Sequence, residues 1–219
     1  MSTEPWLADI RVSYDTVAGS YADQVRGFLD EAPYVRAVLA LFVELVQASG
    51  GGLVADVGCG PGQITEHLHR LGAEVFGLDL SPGMIEVAQR DHPGLRFEVG
   101  SMTDLRLADA SLAGLVAWYS LIHIPDNEIG VVFAQFRRVL RPDGLLLVGF
   151  HIGDTPLLKT QGYGGHPMKV YVHRRRLAHV EAWLEEHGFA VEAQVTLSSR
   201  DGAPAGILVA RRQPAVPDI

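Results

Sequence analysis

Two acids and three glycines frame the stretch of this chain best suited to chemistry. Leu53-Val54-Ala55-Asp56-Val57-Gly58-Cys59-Gly60-Pro61-Gly62-Gln63 reads as an apolar strand, an acid, a turn with glycine at alternate positions, and the start of a helix. A second apolar run ends Phe76-Gly77-Leu78-Asp79-Leu80, which puts another acid at the end of a strand. Gly58, Gly60 and Gly62 tolerate positive φ and let a ligand lie against bare backbone. The helix expected over 63–71 opens with unpaired N–H groups. This is the layout of a nucleotide pocket at the carboxyl end of a parallel sheet.

Spacing and charge narrow the ligand. A dinucleotide loop needs Gly-x-Gly-x-x-Gly, yet Gln63 stands three residues after Gly60. Asp56, just before the loop, would repel a pyrophosphate and attract an ammonium group. Asp79 is placed to accept both hydroxyls of a ribose. An acid for an amino group, a glycine turn and an acid for a ribose suit S-adenosylmethionine better than NAD. Cys59 is the only cysteine, so there is no intramolecular disulfide and no multi-cysteine metal site. In the turn it is read as a small side chain rather than a nucleophile.

Four segments, in order, carry a resemblance. Val54–Gly62 resembles the glycine-loop motif of class I S-adenosylmethionine-dependent methyltransferases, of the small ubiquinone/menaquinone-biosynthesis-like type. Gly77–Ile85 resembles that family's ribose motif, Trp118–Ile124 the segment after its fourth strand, and Arg138–Leu146 the turn into its fifth. The resemblance implies a Rossmann-like α/β fold, doubly wound in three layers. Its seven-stranded sheet would be mostly parallel, with the last strand antiparallel. It also implies S-adenosylmethionine as cofactor, S-adenosylhomocysteine as product and a small-molecule acceptor, oxygen favoured. Donor contacts are expected from Asp56, Gly58, Cys59, Gly60, Gly62 and Asp79. Leu80 and Met84 would line the adenine pocket, with Ser101 and Met102 after the third strand and Trp118 and Tyr119 after the fourth. Ser101 stands where relatives often have an aspartate for the adenine amino group, and Trp118 where a small polar residue is common. Tyr14 and Tyr21, seven apart on one helix face, resemble the N-terminal segment that folds over the donor.

Methyl transfer from a sulfonium is an in-line displacement, so the protein mainly excludes water and aligns the acceptor. A base helps when the acceptor is a hydroxyl. His123, after the fourth strand, is the best placed base or pocket wall, and the resemblance adds it to the donor contacts. His151, ending the fifth strand, and His166 are weaker candidates, for which ordinary loop histidines are the competing reading. No metal is expected. Two rival functions stay open: a donor-binding partner protein without transfer activity and, disfavoured by the glycine spacing, an NAD-type oxidoreductase.

The elements that must hold these residues alternate, which argues for a parallel sheet. Helices are expected over 11–28, 33–48, 63–71, 82–91, 126–140 and 173–187. Strands are expected over 53–57, 74–78, 95–99, 113–118, 144–151, 189–197 and 205–211. Arg141-Pro142-Asp143-Gly144 reads as a tight turn, and 198–204 as a hairpin-like connection. The stretch 151–172 lacks helical period and reads as a long loop covering the substrate. Residues 1–219 are taken as one methyltransferase domain, with 1–30 forming a lid helix. The net charge of −8 disfavours a nucleic-acid partner, and Arg174-Arg175-Arg176 reads as solvated arginines at an element end. No membrane span or signal peptide is evident, and a reducing cytoplasm is the expected setting.

Overall fold

The computed structural model describes residues 4–198 and 202–214. Ser199, Arg200 and Asp201 of the expected hairpin connection, and the first three residues of the expected lid, lie outside them. Strands β1 (Val54–Val57), β2 (Val75–Asp79), β3 (Arg96–Val99), β4 (Leu112–Trp118), β5 (Leu140–His151), β8 (Phe189–Leu197) and β9 (Ala205–Arg212) form one sheet in the order β3-β2-β1-β4-β5-β9-β8. Neighbours from β3 to β5 are parallel, and β9 is antiparallel to both β5 and β8. The order reverses between β1 and β4, the place where doubly wound sheets open a crevice.

Helix α2 (Pro33–Ala48) and α3 (Gln63–Arg70) cover one face, and α5 (Ile129–Val139) and α6 (Leu177–Glu186) the other. Strand β1 shows why: Val54 packs with the α2 and α3 side chains, while Ala55 and Val57 belong to the opposite core. A strand buried on both faces needs this continuous apolar run. Helix α4 (Pro82–Asp91) is capped by Ser81, whose Oγ accepts from the Met84 N–H at 3.0 Å. The first helix, α1 (Pro5–Val25), starts earlier than expected because Pro5 suits the first turn, and it ends before Gly27, which sits at φ 75°. Among the described residues, no helix is long and apolar enough to cross a membrane.

Three expectations need correction. The 151–172 stretch is not a featureless loop. It contains an antiparallel hairpin, β6 (Leu157–Gln161) and β7 (Pro167–Val172), separate from the main sheet. Its signal was period two rather than helical: Met168 and Val170 alternate inward onto α1. The expected turn at 141–144 falls inside β5 rather than ahead of it: Leu112 pairs with Leu140 and Gly114 with Leu145, so three extra residues loop out, with Asp143 at φ 61°. The run 173–176 is extended, so α6 begins at Leu177, because Arg175 is buried rather than solvated. Its guanidinium donates to the carbonyls of Leu121 and Ile124 and to Asp126.

Candidate functional site

At the end of β1 the chain must turn sharply under β4. Gly58 makes this possible: its φ is 78°, and a Cβ there would lie 2.2 Å from the Ser120 Cβ. Only hydrogen fits at that contact. The Ser120 hydroxyl then donates to the Val57 carbonyl at 2.7 Å, joining the loops after β1 and β4. Gly60 follows, and its N–H donates to Asp79 Oδ2 at 2.8 Å. Asp79 Oδ1 accepts from the Ser81 N–H at 2.9 Å. The carboxylate at the end of β2 is thus fixed by two backbone donors and keeps a spare acceptor direction on each oxygen. Burial raises its pKa to about 6, while the N–H donors from Ser81 and Gly60 pull the other way.

These loops floor a cavity of about 690 Å³, counting its open mouth. Its walls include Gly58, Gly60, Asp79, Leu80 and Met84 on one side and Trp118, Tyr119, Ser120 and His123 on the other, with Ser101 and Met102 at the end of β3. Helix α1 roofs it with Leu7, Ile10, Tyr14 and Tyr21. Asp15 on α1 accepts from the Ser81 hydroxyl at 2.6 Å and the Gly83 N–H at 2.9 Å, tying the roof to the start of α4. The hairpin ties it from the other side: the Lys169 N–H donates to Ser13 Oγ, and Lys169 Nζ pairs with Asp9 at 2.7 Å.

His123 Nδ1 lies 2.8 Å from the Tyr171 carbonyl, so that nitrogen carries the hydrogen and donates. Nε2 is therefore the acceptor for the Tyr14 hydroxyl, 2.7 Å away. Burial lowers the pKa of His123 to about 4, against a smaller upward pull from the Tyr171 carbonyl. Burial likewise holds the Tyr14 hydroxyl well above its ordinary pKa, so both groups are neutral near pH 7. Tyr119 holds a positive φ of 52°, a conformation costly for an aromatic residue and common where a site constrains the chain.

Several expected residues do not line the cavity. Cys59 turns away and packs with Ile85, Ala88 and Phe97, and burial raises its thiol pKa. Gly62 serves packing, since a Cβ there would lie 2.8 Å from the Phe97 ring. Asp56 is fully buried beneath the loop, where its Oδ2 accepts from the Thr65 hydroxyl at 2.6 Å. Its Oδ1 has no partner among the described residues. Burial raises its pKa to about 7, against the Thr65 hydrogen bond. His151 lies behind Tyr119, its ring 4.7 Å away, and His166 is exposed on the hairpin.

Sequence reasoning missed Asp15, Ser120, Tyr163 and Lys159. Tyr163 packs edge-on to Tyr21 at 4.6 Å, and Lys159 Nζ sits 3.8 Å over the Tyr163 ring. Leu7 and Ile10 carried a usable signal, for with Tyr14 and Tyr21 they recur at i, i+3, i+7 and i+14 along one helix face.

Residues 54–144 match the methyltransferase domain family. The chain carries a class I S-adenosylmethionine-dependent methyltransferase domain. S-adenosylmethionine is the cofactor of that class. The chain is 27% identical over 141 residues to malonyl-[acyl-carrier protein] O-methyltransferase of Yersinia pestis, covering 64% of this chain and 52% of that one. It is 31% identical over 140 residues to demethylmenaquinone methyltransferase of Renibacterium salmoninarum, covering 64% and 57%. The chain therefore spans little more than half the length of these curated relatives. Magnesium protoporphyrin IX methyltransferase of Synechocystis PCC 6803, solved with S-adenosylmethionine bound, shares the fold at a TM-score of 0.71. It is 20% identical, with 97% of this chain and 100% of that one covered.

Proposed function

We propose that the chain transfers a methyl group from S-adenosylmethionine to a small organic acceptor, with oxygen as the accepting atom. The observation that carries the reading is Asp79, a carboxylate at the cavity wall, fixed by the Gly60 and Ser81 N–H groups with two acceptor directions left over. That arrangement suits the two hydroxyls of a ribose. Asp56 lies beneath the glycine loop and off the cavity wall, so it acts on a cationic donor through its charge and through the loop it supports with Thr65 rather than by contact. Trp118, Tyr119, Leu80 and Met84 supply apolar and aromatic walls for an adenine and a thioether.

When bound, the donor supplies a methyl group on a positively charged sulfur, already activated for displacement. The chain's own work is then to bind, orient and keep out water. Asp79 and the glycine loop hold the donor side, and Tyr14 and Tyr21 close the roof. His123, bonded at both ring nitrogens, holds Tyr14 and walls the cavity, and it gives up no nitrogen to a substrate proton while that arrangement lasts. Residues 1–30 act as a lid and 151–172 as an acceptor cover. The buried free thiol of Cys59 suits a reducing cytoplasm.

The test is transfer of label from methyl-labelled S-adenosylmethionine to an acceptor library, with S-adenosylhomocysteine release as the second readout. Product label matched by homocysteine derivative supports the reading. Donor binding with no release across oxygen, nitrogen and carbon acceptors would favour the non-transferring binding protein instead.

A further inference from the structure

The cavity floor runs from Gly58 at the end of β1, past Asp79 at the end of β2, to Ser101 after β3. Asp79 pairs in register with Val99, and the Gly100 N–H donates to the Asp79 carbonyl at 2.8 Å, which sets Ser101 one strand further out than the carboxylate. A nucleoside whose ribose meets Asp79 and whose tail lies toward Gly58 has only the β3 end left for its base. Ser101 is the polar side chain that the cavity wall offers there, between Leu80, Met84 and Met102. Among the described residues, Asp79 is the only carboxylate on that wall. Asp104 is exposed, 3.9 Å from Arg106 Nε, and lines an outer groove rather than the cavity. Ser101 Oγ and Thr103 Oγ1 lie 2.7 Å apart, and either hydroxyl can donate. The Thr103 N–H also donates to Ser101 Oγ, at 3.2 Å. The pair therefore has two settings. With Ser101 donating to Thr103, one Ser101 lone pair stays open to accept an N–H. With Thr103 donating to Ser101, both Ser101 lone pairs are filled and its O–H is released to donate. An ionised carboxylate in the same place would only accept.

We propose that the donor site takes a 6-oxopurine as well as adenine, with Ser101 meeting the 6-position of the base and reversing its bond with Thr103 to suit either. The inference rests on the donor reading above and deepens it. Toward adenine, Ser101 accepts from the exocyclic amine. Toward a 6-oxopurine, it donates to the carbonyl. Ring N1 changes along with the 6-substituent, from an acceptor to an N–H. The wall there is open to solvent: Leu80, Gly100 and Ser101 line both the cavity and the outer groove, which runs along β3 past Val99, itself 53% exposed. Water in that groove serves either form of N1. The aspartate that the resemblance leads one to expect at this position would set acceptor against acceptor when it faced a carbonyl, and so would exclude the oxo base. Ser101 removes that exclusion.

The test is calorimetric titration of the purified protein with S-adenosylhomocysteine and with S-inosylhomocysteine, its 6-oxo counterpart. The expected result is that the two bind within about fivefold of each other. Ser101→Asp should hold S-adenosylhomocysteine and widen the gap to S-inosylhomocysteine at least about tenfold. Ser101→Ala should weaken both about fivefold, because each loses one hydrogen bond. A Ser101 that only shapes the turn after β3 would move both ligands together in either variant. A gap wider than about fivefold in the parent protein, a ratio unchanged by Ser101→Asp, or a Ser101→Ala without effect on either ligand would overturn the inference. The parent comparison stands whether or not a variant folds. If S-adenosylhomocysteine itself does not bind, the donor reading fails first and the inference falls with it.

Discussion

The donor half and the acceptor half of this cavity are built in different ways. The donor half is a backbone construction: Gly58 and Gly60, the Ser81 N–H and the carboxylate of Asp79 come from two short segments that follow adjacent strands. The acceptor half is a side-chain construction. Tyr14 comes from α1 and His123 and Ile124 from after β4, and the Tyr14–His123 contact joins residues 109 apart in the sequence. The donor half is tightly constrained where its backbone is crowded, as at Gly58, which has no room for a Cβ beside Ser120. The acceptor half can be retuned one side chain at a time, which suits a fold that serves many acceptors.

The largest expected effect lies on the donor side. Gly58→Ala combines a Cβ 2.2 Å from Ser120 with a φ of 78°. Overpacking and left-handed strain together should cost about 3 kcal/mol, read in a urea melt, and remove donor binding. Asp79→Ala comes next. It should weaken S-adenosylmethionine binding at least about 100-fold, or ~2.7 kcal/mol by calorimetry, in a protein that still folds. Asp15→Ala probes the roof rather than the floor. Losing the ties to Ser81 and Gly83 should cost about 1–2 kcal/mol of stability and loosen the donor about tenfold. The effect of Tyr14→Phe should be smallest. It leaves His123 Nε2 without its donor, costing about 1 kcal/mol of stability with donor affinity changed less than about threefold. An acceptor-side change that matched Asp79→Ala in donor affinity would erase the distinction between the halves.

Proton linkage sharpens the same contrast. Asp79 and Asp56 take up protons more readily folded, at about 6 and about 7, than at their ordinary 3.8. Below about pH 4 both states are protonated and neither acid costs stability. As pH rises toward 7 the unfolded state ionises first, so each progressively destabilises the free protein. His123, held at about 4 against an ordinary 6.5, works in the opposite sense, adding stability as pH rises across that interval. Asp56→Asn should therefore gain stability relative to the parent as pH rises from 4 to 7, read in melts across that range. A cationic donor in the cavity, against Asp79 and above the buried Asp56, favours the ionised form of both acids. Its affinity should strengthen from pH 5.5 to 7.5 with proton release, measurable in buffers of different ionisation enthalpy.

The same division explains what the sequence made legible. Strands β1 to β5, the crossover helices and the two strand-end positions around Asp56 and Asp79 could be read because apolar runs, glycines and caps are local signals. The antiparallel last strand came only from the resemblance. The hairpin was missed because β6 exposes most of its residues and offers no clean alternation, and only Met168 and Val170 on β7 bury the inward face. Arg175 looked like one of three solvated arginines, since nothing local marks a guanidinium that will be buried against carbonyls from the segment after β4. The inward turn of Cys59 and the double engagement of His123 are likewise set by partners distant in sequence.

The central claim is that Asp79 and the glycine loop form an S-adenosylmethionine site. Calorimetric titration of the purified protein with S-adenosylmethionine, S-adenosylhomocysteine and NAD, repeated on Asp79→Ala, tests it most directly. The account predicts binding of the first two alone, lost in the variant. Binding of NAD instead, or S-adenosylmethionine affinity untouched by Asp79→Ala, would contradict it.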